Sequence, residues 1–349
     1  GISWKGNKGF YYSSYDKPEG SELSEYTDRH KLYYHELGTD QKSDETVFGD
    51  TRKKYRYVFG SVSDDNNFLF ISASNLTDGN ELYMIDLRKN SNRVQTISDD
   101  SSTDDYVVDN VDETFYIFTN YNAPNKKLVK TTLNNLKREN WQDVIPESEN
   151  VFSVSSGSGY FFARYLVDAF SQVYQYNYSG DLVRKVELPG IGTSSGFSGE
   201  KDQEELYFSF SNYYTPGNIY SFNPKNGEYN IYWKPEIEFN SDLYTSNQVF
   251  YESKDGTKVP MIITHKKDIV LDGKNPTILY GYGGFNISRT PGFSVTNAVW
   301  MDLGGVYAVP NIRGGGEYGK EWHNSGTRLN KQNGFDDFIA AAEYLISSN

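Results

Sequence analysis

The 349 residues predict a mixed fold, with an array of repeated sheets of β-propeller type over residues 1–236 and an α/β segment over 237–349. Three observations carry this prediction. Two series of strands recur with one period, the pattern changes after Trp233-Lys234-Pro235, and a strongly periodic helix lies near the end of the chain.

One type of strand reads KGFYYSSY, NFLFISAS, ETFYIFTN, GYFFARYL and ELYFSFSN. Its first aromatic falls at Phe10, Phe68, Phe115, Phe161 and Tyr207, at intervals of 58, 47, 46 and 46 residues. A second type follows each of these, with its apolar residue at Leu32, Leu82, Leu128, Val173 and Ile219, at intervals of 50, 46, 45 and 46. The apolar residues alternate with period 2, which marks strands and not helices. A unit of this length with several strands matches a propeller blade better than a helical repeat or a β-solenoid. Five units precede residue 235, and turns such as Ser179-Gly180-Asp181 separate their strands.

Beyond Pro235, residues 249–265 read as a hairpin about Asp255-Gly256. A strand, Thr277-Ile278-Leu279, is expected to be buried on both faces and runs into Gly281, Gly283 and Gly284. Phe293 to Leu303 reads as a helical segment, and Gly304-Gly305 introduces a strand at Val306–Pro310. In the last helix Phe335, Phe338, Ile339, Ala342, Leu345 and Ile346 share one face, with Asn333 as its expected cap and Asp336 and Asp337 in its first turn. Strand, helix, strand, helix implies parallel crossovers.

Composition narrows the functions available. A net charge of -13 and a pI near 4.9 argue against nucleic acid or anionic membrane as a partner, because phosphate binding needs clustered Lys and Arg. There is no cysteine, hence no disulfide, thiol nucleophile or thiolate metal site, and this suits a cytoplasmic location. No apolar run reaches the roughly 18 residues of a membrane span. His30, His35, His265 and His323 lack the spacing of a metal site, and His323 is nearest the glycine-rich loop.

Two formal motif matches lack their required context. Gly192-Thr193-Ser194-Ser195-Gly196 has the form of a nucleophile elbow, but a propeller-type strand follows it where a helix is needed, and it reads as a surface loop. Gly314, Gly316 and Gly319 have dinucleotide-loop spacing, yet the residues that follow lack the periodicity of a pyrophosphate-binding helix. No metal or cofactor is therefore implied. Tyr282, between glycines at the end of a strand, is a candidate hydroxyl donor toward a developing oxyanion, because open α/β sheets bind ligands beyond their strand ends. The plainer alternative for such an aromatic is loop packing.

Together, YGYGGFNIS (280–288), NIRGGGEYGKEWH (311–323) and NKQNGFDDFIAAAEYLI (330–346) resemble the start of the catalytic domain of the prolyl oligopeptidase family of proline-specific serine peptidases. The resemblance extends over essentially the whole chain. It implies about five of the seven blades of a propeller, followed by the first part of an α/β-hydrolase domain. It further implies that Tyr282 supplies the side-chain half of an oxyanion hole and that Phe285 lines a pocket for the substrate's proline ring. The family's Ser, Asp and His would lie beyond Asn349, so neither end reads as natural and the 349 residues alone are expected to be inactive. The expected partners are proline-containing oligopeptides and the remainder of the same polypeptide. Arg313 reads as a buried structural cation tying the glycine loop to an acid such as Glu317. Two other readings stand beside this one, a propeller binding module with a vestigial hydrolase piece and an oligopeptidase of the same clan that cleaves after basic residues.

Overall fold

The computed structural model describes residues 1–15, 29–49, 53–76, 79–89 and 91–348. They gather into two compact units, Gly1–Glu147 and Ser148–Asn349.

The first unit holds three four-stranded antiparallel sheets and the second holds two, each strand pairing with the next in sequence. In every sheet the two strand types read from the repeat are the middle pair, for example Phe68–Ser74 with Glu81–Asp86. A first and a fourth strand, less apolar and without a common motif, flank each pair. The fourth joins through a register shift in all five sheets, next to Leu32, Leu82, Leu128, Tyr176 and Ile219. An extra residue at that point increases the local twist of a sheet. Four of these five positions are the residues whose spacing defined the second series.

Aromatic side chains fill the space between neighbouring sheets within each unit. In the first unit Phe68 and Phe70 meet Phe115 edge-on, with centroids 4.9 and 5.5 Å apart. In the second, Phe162, Phe197 and Phe208 stack, with Phe197 and Phe208 4.6 Å apart, and Phe222 meets them edge-on. Gly192–Gly196 is not a surface loop. Thr193–Ser198 is the first strand of the fifth sheet, and Ser194 is fully buried. Its serines and glycine obscured a strand whose burial comes from the fourth sheet packed against it.

The sixth sheet has the order Tyr244–Glu252, Lys258–Lys266, Val306–Pro310, Thr277–Leu279. The first two strands form the hairpin expected about Asp255-Gly256, and the last two pair in parallel across the helix Val295–Asp302. Strand alternation gives the sheet two apolar faces. Ile262, Tyr307 and Val309 pack with Met301 of that helix, while Val259, Met261 and Ala308 pack with Ala341 of the helix Lys331–Ser347.

Three expectations need correction here. Thr277–Leu279 is not buried on both faces, since Thr277 and Ile278 are exposed and the strand is the sheet's edge among the described residues. The last helix begins at Lys331, so Asn333 lies inside it and donates from Nδ2 to the Ser325 carbonyl at 2.9 Å. The face of that helix buried on the sheet carries Gly334, Asp337 and Ala341, whereas Phe335, Ile339 and Ile346 are exposed. Small residues permit the close approach, and the buried carboxylate has a partner described below. Among the described residues no helix is long and apolar enough to cross a membrane.

Phe208 sits at the centre of the aromatic stack of the second unit, in contact with Phe197, Tyr220, Phe222 and Tyr229. Phe208→Ala is expected to lower stability by about 3–5 kcal/mol. A shift of the denaturant midpoint within experimental error of zero would contradict this packing.

Candidate functional site

The glycine-rich turn grows out of the edge strand. Tyr280 continues the ladder, its N–H donating to the Ala308 carbonyl at 2.9 Å, and the chain then leaves the sheet. Gly283 has φ 55°, and a Cβ there would lie 2.6 Å from Ile312 Cγ1 and 2.8 Å from the Arg313 carbonyl oxygen. Only a glycine lets the turn lie against the 311–316 loop this closely. Lys331, in the first turn of the last helix, donates from Nζ to the Gly283 carbonyl at 2.6 Å.

Gly284 to Ile287 form a tight turn closed by the Ile287 N–H on the Gly284 carbonyl at 3.0 Å. Its central residues, Phe285 and Asn286, have φ 53° and 57°, which defines a type I′ turn. Asn tolerates this conformation. An aromatic residue does so at a cost on the order of 1–3 kcal/mol, and such strain concentrates at functional sites. Phe285 is also 84% exposed, so burial of its ring within the chain does not offset the strain. Tyr282 is 42% exposed, and its hydroxyl meets no hydrogen-bond partner among the described residues. The structure thus places Tyr282 just before the turn that carries Phe285, with the Tyr282 side chain partly covered and the Phe285 ring largely in solvent.

His323 Nδ1 lies 2.8 Å from the Gly314 carbonyl and 3.0 Å from the Asn286 nitrogen. One ring nitrogen cannot both donate and accept. Because the Asn286 N–H also points at the Gly314 carbonyl, at 3.3 Å, the consistent arrangement has Nδ1–H and the Asn286 N–H sharing that oxygen. His323 therefore fixes the turn to the glycine loop. Among the described residues no serine hydroxyl is hydrogen-bonded to a histidine ring.

Beneath the turn, Arg313 is buried as expected, but its partners differ. Its Nη2 donates to Asp337 Oδ1 at 2.6 Å, Nε to Asp337 Oδ2 at 3.0 Å and Nη1 to Asp255 Oδ2 at 2.6 Å. The Arg313 backbone N–H also donates to Asp337. These contacts, Asp337 first, raise the guanidinium's pKa, and Arg313 in turn holds the Asp255 carboxyl well below the usual range. With the helix starting at Lys331, neither Asp336 nor Asp337 stands in its first turn, and the fold turns Asp337 inward to Arg313. Asp255 and Asp337 are the residues that sequence reasoning missed. The signal available was the stripe Gly334, Asp337, Ala341, at spacings of 3 and 4, which marks a close-packed helix seam.

Glu317 lies elsewhere. Its Oε1 accepts from the Arg289 N–H at 2.8 Å and from Asn311 Nδ2 at 3.2 Å, while Oε2 meets no protein donor among the described residues. Burial pushes its carboxyl above the usual range, against the opposing effect of those two donors. A carboxyl raised in the folded state binds its proton more readily there than in the unfolded chain. Stability contributed by that proton is present at low pH and falls as pH rises from the unfolded value of about 4.3 through the raised folded value.

Within the same unit the site meets the fourth and fifth sheets. Tyr318 donates to Asp168 Oδ1 at 2.7 Å, Thr193 Oγ1 to the Pro291 carbonyl at 2.6 Å, and the Phe293 N–H to Ser211 Oγ at 3.2 Å. Burial and Asp168 together push the Tyr318 hydroxyl up.

Glu317→Gln is expected to remove the decline in stability with rising pH that Glu317 imposes. Denaturant midpoints of both proteins from about pH 4 to about pH 8 would measure it. A wild-type-minus-variant difference that stays flat, or that grows in the wild type's favour with pH, would show that burial does not govern this carboxyl.

Comparison with known proteins agrees with this architecture. The family model described as "Prolyl oligopeptidase, N-terminal beta-propeller domain" matches residues 1–235, and that described as "Prolyl oligopeptidase family" matches residues 291–349. The prolyl endopeptidase of Elizabethkingia meningoseptica is 54% identical over 347 residues, covering 99% of this chain and 49% of that protein. The prolyl endopeptidase of Dictyostelium discoideum is 36% identical over 378 residues, covering 100% and 50%. Among solved structures, the apo form of prolyl oligopeptidase B from Galerina marginata superposes with a TM-score of 0.87 at 31% identity, covering 99% of this chain and 50% of that one. The chain spans about half the length of the curated relatives it matches. With a propeller model over most of its length and the matching hydrolase model after it, the chain belongs to the prolyl oligopeptidase family.

Proposed function

We propose that these residues serve a proline-specific serine endopeptidase that hydrolyses short peptides on the carboxyl side of proline. The observation that carries this reading is the turn at 282–286, where an unpartnered phenol and an exposed, strained aromatic ring project from a backbone held by Lys331, His323 and the 311–316 loop. A fixed hydroxyl donor stabilises charge that develops on a carbonyl oxygen, and its value depends on being in place before reaction. Tyr282 fills this role, with Phe285 packing on the proline ring. Residues 1–236 act as the propeller and 237–349 as the N-terminal portion of the hydrolase domain. Sequence beyond residue 349 supplies the nucleophilic serine with its base and orienting acid, without metal or cofactor, and the enzyme works in the cytoplasm.

Acyl transfer needs an activated serine as well as an oxyanion donor. The 349-residue chain should therefore gain no adduct from a serine-reactive fluorophosphonate, whereas the whole polypeptide gains one, as intact mass reads directly. An adduct on the isolated chain would relocate the nucleophile. In the whole polypeptide, Tyr282→Phe is expected to lower kcat on a proline reporter peptide by about 10²-fold with little change in KM. Unchanged kcat would remove Tyr282 from the oxyanion hole.

A further inference from the structure

Arg164, on the strand Tyr160–Val167 of the fourth sheet, meets no carboxylate, in contrast to Arg313 and Arg138. Arg313 meets Asp337 and Asp255, and Arg138 meets Asp105 and Asp100. Arg164 is half-buried and meets only neutral groups, donating from Nη1 to the Ser194 carbonyl at 2.6 Å and from Nη2 to Ser153 Oγ at 3.0 Å. No carboxylate among the described residues pairs with it. Burial pushes its guanidinium below the ordinary value with nothing acting in the opposite direction.

A guanidinium carries five N–H donors, and the two contacts made here leave the others for a further acceptor. Tying Ser194 to Ser153 requires donors but no charge, and a neutral amide would do this without the cost of desolvating a cation. The charge itself is unexplained by the fold. It borders a cavity of about 280 Å³ that Ser153, Ser155, Ser195 and the rings of Phe162 and Phe197 help to line. That is smaller than the roughly 300–1,000 Å³ of drug-sized ligand sites, and its scale suits a single side chain or chain end.

The strands that line the cavity also contact segments that flank the candidate site. Ser194, whose carbonyl takes the Arg164 bond, follows Thr193, whose hydroxyl holds Pro291 in the segment leading away from the 282–286 turn. The hairpin that carries Arg164 ends at Asp168, which receives Tyr318.

We infer that Arg164, with Ser153 beside it, forms a subsite for a carboxylate of the bound peptide. A guanidinium matches a carboxylate with paired N–H···O bonds, and the Ser153 hydroxyl, which accepts from Nη2, stands beside it, whereas the Ser155 hydroxyl is donated to the Gly196 and Phe197 carbonyls. The carboxylate is either an acidic side chain or a free C-terminus. The inference rests on the peptidase reading for the identity of its ligand, but its test does not depend on turnover.

The test is calorimetric titration of the 349-residue chain with proline-containing pentapeptides. One set is blocked at both ends and carries glutamate or glutamine in turn at each non-proline position; the other compares a free C-terminus with its amide. The expected result is that one acid binds about tenfold more tightly than its neutral isostere, a difference of about 1.4 kcal/mol. The set in which this occurs identifies the source of the carboxylate. Arg164→Gln should equalise the pair, and Arg164→Lys, which keeps the charge but loses the fork, should retain part of the preference. Equal binding of every pair by the wild type, or a preference that survives in Arg164→Gln, would overturn the subsite. Should Arg164→Gln fail to fold, the wild-type comparison and Arg164→Lys still decide the matter. Cleavage of the neutral peptides by the whole polypeptide is scored separately, so loss of the peptidase reading would appear as no cleavage and loss of the subsite as no carboxylate preference.

Discussion

The contact between Arg313 and Asp337 sets the geometry on which the candidate site depends. Arg313 has a side chain 5% exposed and Asp337 one that is fully buried, and the pair joins the 311–316 loop to the last helix. Asp255, nearly half exposed, brings in the tip of the hairpin Tyr244–Lys266 as well. Removing one partner of a buried pair typically costs about 3–5 kcal/mol because the other charge is left uncompensated. The half-exposed contact to Asp255 is screened by water and adds much less. The pair's importance is therefore positional. It locks the surface against which Gly283 packs, and so determines where Tyr282 and Phe285 project.

Around this pair the site is built from backbone contacts more than from side-chain chemistry. Gly283 gives its carbonyl to Lys331, Gly314 gives its carbonyl to His323 and to the Asn286 N–H, and Gly326 approaches so near the Arg313 backbone that a Cβ there would lie 2.2 Å from the Arg313 carbonyl carbon. The glycines that looked like a nucleotide loop thus serve close packing between loops. Positive φ at Phe285 follows from the same packing, since the I′ turn brings the chain back over the loop. The strained ring left in solvent is the feature that the fold itself does not need.

Much of this was legible in the chain. The repeat spacing located five sheets because the middle strands of each carry the buried aromatics. The Asp255-Gly256 hairpin, the helix before Gly304 and the strand Val306–Pro310 also followed from local pattern. Three features did not. The serines of 193–198 conceal a strand because its burial is supplied by the fourth sheet. Ile278 reads as core yet is exposed, because hydrophobicity does not say which strand stands at an edge. Phe335 and Ile339 read as the packed face of the last helix, while the sheet takes the seam of Gly334, Asp337 and Ala341, where small side chains permit a closer approach.

By itself the sequence determined the repeat and the two middle strands of each unit, the hairpin about Asp255-Gly256 with the helix and strand about Gly304, and the family likeness of the 280–288, 311–323 and 330–346 motifs. Those are properties of local periodicity and backbone freedom, which residues carry wherever they sit. Tertiary structure alone decided that Arg313 pairs with Asp337 and Asp255 and not with Glu317, that Glu317 is left with one unpartnered oxygen, and that Arg164 is left without a carboxylate. Such pairings join residues 24 and 58 positions apart in the chain. Which charges meet at that separation is set by how the sheet and its helices pack, and a linear sequence does not encode that distance in any local pattern.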